Sequence, residues 1–208
     1  MIYVNGDSHT AGAELVKDYC FAEDDPLYKA DGRSPHPQAV PLTFAYQLAK
    51  ALELPLYLDA ESSSSNDRIL RTTEKYLSDN TPDLIVIGWT TWEREEWNIA
   101  GEYYQLTASG IDSVPQNTVE AYKQWVVAQD QQELSRKRTL WIKKINDFAK
   151  QLEEKNIPYL FFTTEEYTQY LTRAGYKTVN NGYHFGKDAH VCWFKYLLDI
   201  YHKRYYTV

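Results

Sequence analysis

Residues 84–88 have the sequence Leu-Ile-Val-Ile-Gly, and this stretch is the clearest buried strand of the chain. A short, almost continuously apolar run is typical of a strand in a parallel sheet that is covered on both faces. Outward from it, comparable strand-length runs lie at residues 2–4, 55–59, 158–162 and, as a short fifth strand, 176–179. Apolar residues at helical spacing lie between and after these runs and predict helices at about 42–52, 66–79, 118–155, 165–174 and 187–203.

The alternation of strands and helices predicts an α/β protein, because helices that connect parallel strands must cover both faces of the sheet. We therefore expect a three-layer α/β/α sandwich with a mostly parallel, flavodoxin-like sheet. The length of 208 residues suits a single domain over 1–208. Two irregular segments, at about 18–40 and 89–117, are longer than ordinary connections and are therefore candidates for function.

Composition excludes several classes of function. The chain has 22 basic and 29 acidic side chains, so its net charge of −7 argues against general nucleic-acid binding. No apolar run approaches the roughly 20 residues that a bilayer span needs, and no signal peptide follows Met1. Cys20 and Cys192 do not make a disulfide framework, which favours a reducing compartment and predicts a cytoplasmic location.

Small polar and titratable residues follow four of the predicted strands. Because ligands of such sheets bind beyond the carboxyl ends of the strands, these residues should meet at one edge. The segments are Gly6-Asp7-Ser8-His9, residues 61–66, Trp89-Thr90-Thr91 and residues 181–184, with Asp188 and His190 close behind. A hydroxyl nucleophile needs a neighbouring base and donors for an oxyanion. Ser8 and His184 are the candidates for nucleophile and base.

At these segments the sequence resembles the SGNH (GDSL-type) hydrolase superfamily, over nearly the whole chain in order and spacing. Gly6-Asp7-Ser8 matches the motif after the first strand, which implies that Ser8 is the nucleophile. His184 matches the base near the C-terminus, and His190 corresponds to the second histidine of the extended motif, although a structural histidine in the last helix is the simpler interpretation. The resemblance implies catalysis without a metal or organic cofactor.

Three positions depart from the pattern of that superfamily. Ser63 stands where the family has glycine, Thr90 where it has asparagine, and Asn181 where it has the aspartate that precedes the histidine. What the resemblance then implies is a catalytic set of Ser8, His184 and Asn181, in which Asn181 orients His184 through its carbonyl. The oxyanion donors would be the backbone N–H groups of Ser8 and Ser63 together with the Thr90 hydroxyl.

The segment after the third strand is unusually aromatic and charged. Aromatic faces beside an active site suit sugar rings and Arg94 could hold a carboxylate, so Trp89, Trp92 and Arg94 are predicted to bind substrate. The same composition suits a packed lid or a subunit interface.

Two functions remain open from the sequence. One is a serine esterase that removes an O-acetyl or similar acyl group from a carbohydrate or small metabolite through an acyl-enzyme. The other is a catalytically silent relative that binds a glycan or a protein. The sequence also resembles a branch of these proteins encoded by tailed phages of cyanobacteria, which implies the cytoplasm of a bacterial host and attachment to a virion.

Metal sites are the weaker interpretation of the same residues. Asp7-Ser8-His9 after the first strand is also how metallophosphoesterases begin, but that class needs a later Gly-Asp pair and an Asn-His loop, which this sequence lacks. A single metal on His184, Asp188 and His190 would need a sharp turn to bring both imidazoles together. No metal site is therefore predicted.

Overall fold

The computed structural model describes residues 1–16, 32–111, 114–179 and 182–206. Its main sheet has four parallel strands in the order β2-β1-β3-β6. These strands are β1 (Ile2–Asn5), β2 (Leu56–Leu58), β3 (Leu84–Trp89) and β6 (Tyr159–Thr163). Every residue of β3 is buried, as its apolar sequence predicts.

Helices cover both faces of this sheet. They are the one-turn α1 (Ser8–Ala11), α2 (Phe44–Ala51), α3 (Asn66–Asp79), α4 (Val119–Val127), α5 (Gln131–Glu154), α6 (Thr164–Arg173) and α7 (Lys187–Tyr205). Short 3₁₀ turns occupy Val40–Leu42 and Gln116–Thr118.

Two separate apolar cores define the layers, because strand side chains alternate between the two faces. Val4 and Val86 pack on one face with side chains from α2, α6 and α7, such as Trp193. Tyr3 and Ile85 point to the other face and pack against α3 and α5. The predicted α/β/α three-layer sandwich with a parallel sheet is therefore confirmed.

The predicted helix at 118–155 is in fact two helices. The Asp130 side chain accepts the backbone N–H of Glu133 at 2.8 Å, which caps a new helix and ends the first one at Val127. The apolar face predicted for the second helix is present, since Trp141, Phe148 and Leu152 are buried.

The segment predicted as an irregular loop at 89–117 contains an antiparallel hairpin. Its strands are β4 (Glu95–Ile99) and β5 (Glu102–Leu106), joined by Ala100 and Gly101 with positive φ angles of 54° and 92°. Two positive φ values in a two-residue connection match the right-handed twist of paired strands. Trp97 packs with Leu106, Val114 and Tyr122 in a small separate core.

The predicted fifth strand at 176–179 is wrong. The structure has only a single bridge there, between Thr178 and Phe185. Of the predicted loop at 18–40, residues 18–31 lie outside the described residues, as does Cys20. Cys192 is a free, half-buried thiol. Within the described residues, none of the helices combines the length and the apolar character that crossing a membrane requires.

Candidate active site

The turn after β1 is fixed by buried hydrogen bonds. The Asn5 carboxamide accepts the Gly6 N–H at 2.8 Å and donates to Thr72 Oγ1 at 2.8 Å, which ties the end of β1 to α3. A β-carbon on Gly6 would lie 2.3 Å from Thr10 Oγ1, so only glycine fits. The Asp7 side chain then caps α1 by accepting the His9 N–H at 3.0 Å, and Ser8 is the first residue of that helix.

Ser8 and His184 meet at the carboxyl edge of the sheet. Ser8 Oγ lies 2.7 Å from His184 Nε2, although 176 positions separate the two residues in the chain. His184 belongs to the segment before α7, where its carbonyl accepts the Val179 N–H at 2.9 Å. The structure therefore brings together the nucleophile and base candidates that the sequence proposes.

A carboxylate that the sequence analysis did not consider faces the other side of this imidazole. Glu14 Oε1 lies 3.0 Å from His184 Nδ1, an ion-pair distance, although the N–H direction is off the line of a hydrogen bond. The His184 backbone N–H also donates to Glu14 Oε2 at 3.3 Å. Asn181, the residue expected to orient His184, lies outside the described residues.

Asp7 is the centre of a buried polar network behind Ser8. Its Oδ2 accepts hydrogen bonds from the hydroxyls of Thr90 at 2.7 Å and Thr164 at 3.0 Å, and Arg94 Nη1 lies 3.4 Å away. Burial opposes ionisation of Asp7, but His9, Arg94 and the two hydroxyls outweigh it and lower the pKa of Asp7 below its ordinary value. The charged Asp7 side chain therefore joins the segments that follow β1, β3 and β6.

The expectation that the Thr90 hydroxyl binds an oxyanion is wrong for this geometry. A hydroxyl has one proton, and Thr90 donates it to the Asp7 carboxylate. Arg94 Nη1 donates to the same Thr90 oxygen at 3.0 Å, so that oxygen is occupied from the other side as well.

The loop between β2 and α3 approaches the nucleophile turn. The Glu61 N–H donates to the Gly6 carbonyl at 3.1 Å, which holds the loop against the end of β1. Ser63 has a positive φ of 67°, so the chain reverses direction there. Among the hydrogen bonds of the described residues, neither the Ser8 nor the Ser63 backbone N–H is used.

The prediction that Trp89 binds substrate is wrong. Trp89 is 1% exposed and packs among Trp141, Phe148 and Phe161 in the core on the α5 side. As the last residue of β3, it points to the same face as Ile85 and Ile87 because strand side chains alternate.

Trp92 and Arg94 are placed differently from Trp89. Trp92 is half-buried and lines a cavity of about 300 Å³ at the carboxyl ends of β3 and β6. The cavity is bordered by Thr90, Thr91, Trp92, Glu93, Leu134, Thr163 and Glu165. Arg94 also donates to the Ser64 carbonyl at 3.3 Å, so it connects the loop that follows β3 with the loop that follows β2.

A second, more polar cavity of about 370 Å³ lies beside the β2–α3 loop and the hairpin. Its lining residues are Arg33, Glu61, Arg68, Arg71, Thr72, Glu96, Tyr103, Tyr104 and Gln105. Arg71 holds Glu96 through two hydrogen bonds of 2.6 Å and lies 3.8 Å from the centre of the Tyr103 ring. The Tyr103 side chain is half exposed at this cavity.

Two further histidines lie behind His184 and are both held neutral. Burial lowers the pKa of His9 to about 4, and its ring centre is 4.7 Å from that of His184. Burial lowers the pKa of His190 to about 3, and its Nδ1 accepts the Phe44 N–H at 3.2 Å. His190 therefore has a structural role between α7 and α2. Within the described ranges, no group of three His, Cys, Asp or Glu side chains is arranged to hold a metal ion.

Comparison with known proteins adds a similarity to a solved structure. No protein-family model matches the chain, and no curated protein matches it. Among solved structures it is similar to an acetyl xylan esterase, Est2A, from the rumen bacterium Butyrivibrio proteoclasticus, with 16% sequence identity and a TM-score of 0.46. The similarity covers 98% of this chain and 63% of that protein, so the chain spans less than two thirds of its length.

Proposed function

We propose that the protein is a serine hydrolase that cleaves an ester, with Ser8 as nucleophile and His184 as general base. The observation that supports this proposal is the 2.7 Å distance between Ser8 Oγ and His184 Nε2. This is within the range at which a histidine activates a serine hydroxyl. Ser8 itself is 5% exposed, and the described hydrogen bond of its hydroxyl is the one with His184.

The reaction proposed for this pair has two steps. Ser8 Oγ attacks the ester carbonyl while His184 Nε2 takes the Ser8 proton, and His184 then gives that proton to the departing alcohol. An acyl group is left on Ser8. A water molecule, deprotonated by the same nitrogen, releases it as the acid and restores the Ser8 hydroxyl.

The negative charge on the carbonyl oxygen in each step needs N–H donors. We propose that the backbone N–H groups of Ser8 and Ser63 supply them, since both are unused among the described hydrogen bonds. The Ser63 turn with φ of 67° and the Glu61-to-Gly6 hydrogen bond support the placement of this loop beside Ser8. Thr90 contributes by fixing Asp7, the residue that precedes the nucleophile.

The substrate that we propose is a small ester with a polar alcohol part, such as an O-acetylated carbohydrate or metabolite. Trp92 offers an aromatic face in one cavity and Tyr103 in the other, and aromatic faces suit sugar rings. Arg94 uses only Nη1 in its described contacts, so the rest of its guanidinium is available for a carboxylate or a hydroxyl.

A fluorophosphonate probe tests this function directly, because it labels an activated serine irrespective of the substrate. We expect labelling of the wild type, no labelling of Ser8→Ala, and a labelling rate lowered about 10³-fold or more for His184→Ala. Ser78→Ala, which removes an exposed hydroxyl on α3, is the matched control and should label at the wild-type rate. Release of acetate from acetylated sugars would then identify the alcohol.

Absence of Ser8-dependent labelling in the folded wild-type protein would support the catalytically silent binding protein instead. In that case Trp92→Ala and Tyr103→Ala should weaken binding on a glycan array. We also propose a cytoplasmic location in a bacterial host, which rests on the cysteine usage and on the resemblance to phage-encoded proteins. Attachment to a virion is a further proposal that rests on that resemblance alone. Fractionation of infected cells and purified virions tests both.

A further inference from the structure

We propose that Glu14, and not Asn181, is the residue that positions His184 for proton transfer. This inference rests on the proposed function, because it assigns the third member of the same catalytic group. The chain order would then be serine, glutamate, histidine, with the acid six residues after the nucleophile. Both residues belong to the segment that follows β1, and the base comes from the segment before α7.

The first support is that Glu14 contacts His184 twice. One carboxylate oxygen lies 3.0 Å from Nδ1 of the ring and the other accepts the His184 backbone N–H at 3.3 Å. Among the described residues, the polar contacts of Glu14 are with His184. These two contacts fix both the ring and the backbone of His184.

The second support is the backbone that delivers Glu14. Helix α1 ends after one turn at Gly12, whose φ is 78°, and Glu14 itself has a φ of 65°. A left-handed conformation at a residue other than glycine costs about 1–2 kcal/mol. The fold accepts this cost at a residue whose carboxylate is directed at the histidine, and such strain is concentrated at functional sites.

The third support is that the chain leaves space for this carboxylate. A β-carbon on Gly182 would lie 2.1 Å from Glu14 Oε2 and 2.7 Å from its Cδ. The Glu14 side chain is 15% exposed, so it is largely shielded from water. Shielding a carboxylate costs free energy unless a partner stabilises it, and His184 is that partner, through its backbone N–H and the nearby ring.

The chemical consequence is that the carboxylate selects one tautomer of His184. With the proton on Nδ1 beside Glu14, Nε2 presents its lone pair to Ser8, and the imidazolium formed during transfer is stabilised by the negative charge. Among the described residues, the other titratable groups around this ring are His9 and His190, both held neutral, and Asp7, which faces His9. Within that part of the chain, Glu14 is thus the carboxylate that contacts the ring itself.

The test compares Glu14→Gln, Glu14→Asp, Glu14→Gly and Asn181→Ala with Glu53→Gln, an exposed glutamate that also has a positive φ of 55°. We expect Glu14→Gln to lower kcat and the fluorophosphonate labelling rate about 10²- to 10⁴-fold, with KM changed less than about threefold. Glu14→Asp should keep more activity than Glu14→Gln. Glu53→Gln should stay within about threefold of the wild type, and Asn181→Ala should lose far less activity than Glu14→Gln.

Glu14→Gly separates positioning from folding, because glycine accepts the positive φ and leaves a space the size of the lost carboxylate. We expect formate to restore part of its labelling rate and to have no effect on the wild type. Equal rates for Glu14→Gln and Glu53→Gln, or a large loss in Asn181→Ala alone, would overturn the inference while Ser8-dependent labelling of the wild type keeps the proposed function.

If the wild type is not labelled at all, the proposed function fails and a different measurement decides the role of Glu14. The ¹⁵N chemical shifts of the neutral His184 ring report which nitrogen has the proton. We expect the proton on Nδ1 in the wild type and a mixture of tautomers in Glu14→Gln. The same tautomer in both proteins would refute the positioning role.

Discussion

Asn66 and Thr90 exchange two hydrogen bonds across the carboxyl edge of the sheet. The Thr90 N–H donates to Asn66 Oδ1 at 2.8 Å, and Asn66 Nδ2 donates to the Thr90 carbonyl at 3.1 Å. Asn66 is fully buried at the start of α3, and Thr90 directly follows β3. The Asn66 carboxamide therefore satisfies both backbone groups of Thr90, as a neighbouring strand would. It also fixes the loop after β2 against the loop after β3.

Replacing Asn66 by Ala should lower the free energy of unfolding by about 2–4 kcal/mol, because two buried backbone groups of Thr90 lose their partners. Asn66→Asp keeps the acceptor but loses the donor and buries a charge, so it should be no more stable than Asn66→Ala. Urea denaturation measures both. Asn80→Ala, which removes an exposed carboxamide at the end of the same helix, is the control and should change stability far less.

The fold and two of the three proposed catalytic residues follow from the sequence for a simple reason. Parallel strands place their carboxyl ends at one edge, so residues that follow β1 and the last crossover must converge, and Ser8 and His184 do. Glu14 could not be found in this way, because a one-turn helix and two positive φ values bring it into the site. No apolar period or motif encodes that path.

The misassigned Trp89 and the missed hairpin have different causes. Ile85, Ile87 and Trp89 are every second residue of β3 and therefore point to the same face of the sheet. Extending the predicted strand from residue 88 to residue 89 would have placed Trp89 in the core. The hairpin is made of strands rich in charged and aromatic residues. Its apolar side chains pack in a small core of their own, around Trp97 and Leu106, so its alternating pattern is faint. Its Ala100-Gly101 turn was the available signal.

The buried histidines make stability depend on pH in a definite direction. His190 has a pKa of about 3 in the folded protein against an ordinary value of 6.5, so between these values the unfolded chain binds a proton that the folded protein does not. The free energy of unfolding should therefore fall as pH falls from 6.5, by up to about 1.4 kcal/mol per pH unit from this residue. His9, with a pKa of about 4, acts in the same direction.

Denaturation at several pH values tests this with His190→Asn, in which the Asn oxygen can still accept the Phe44 N–H. The variant should be less stable at pH 7 and should have a flatter dependence on pH between 7 and 4. His202→Asn, at an exposed position of the same helix, should keep the wild-type slope. An unchanged slope in His190→Asn would contradict the assignment.

Arg71 and Glu96 join the hairpin to α3. The Glu96 side chain is 4% exposed, and it accepts from Arg71 twice and from Gln105 Nε2 at 2.6 Å. Arg71→Met would leave the buried carboxylate with one partner. Because Arg71 is about one-third exposed, we expect a loss of about 2–3 kcal/mol, below the full cost of an orphaned buried charge.

Hydrogen exchange of the β4 and β5 amides measures this locally. Protection should fall in Arg71→Met and recover in part when Glu96→Gln is added, because the neutral amide needs no cation. Arg136→Met breaks an exposed pair of similar geometry with Glu133 and should leave exchange unchanged. Loss of protection throughout the protein in Arg71→Met, equal in α7 and the hairpin, would contradict a local role.

Gly182 leaves room for Glu14, and replacing it by Ala tests the site without altering any polar group. The new methyl group would overlap the end of the Glu14 side chain, which is flexible and can move, so the fold should persist with a small loss of stability. The carboxylate would leave His184. We therefore expect kcat to fall about as far as in Glu14→Gln. Gly175→Ala, at a glycine with open space around its Cα but a φ of 88°, is the matched control and should lose stability and not activity. A fully active Gly182→Ala would show that the Glu14 carboxylate can be displaced without consequence.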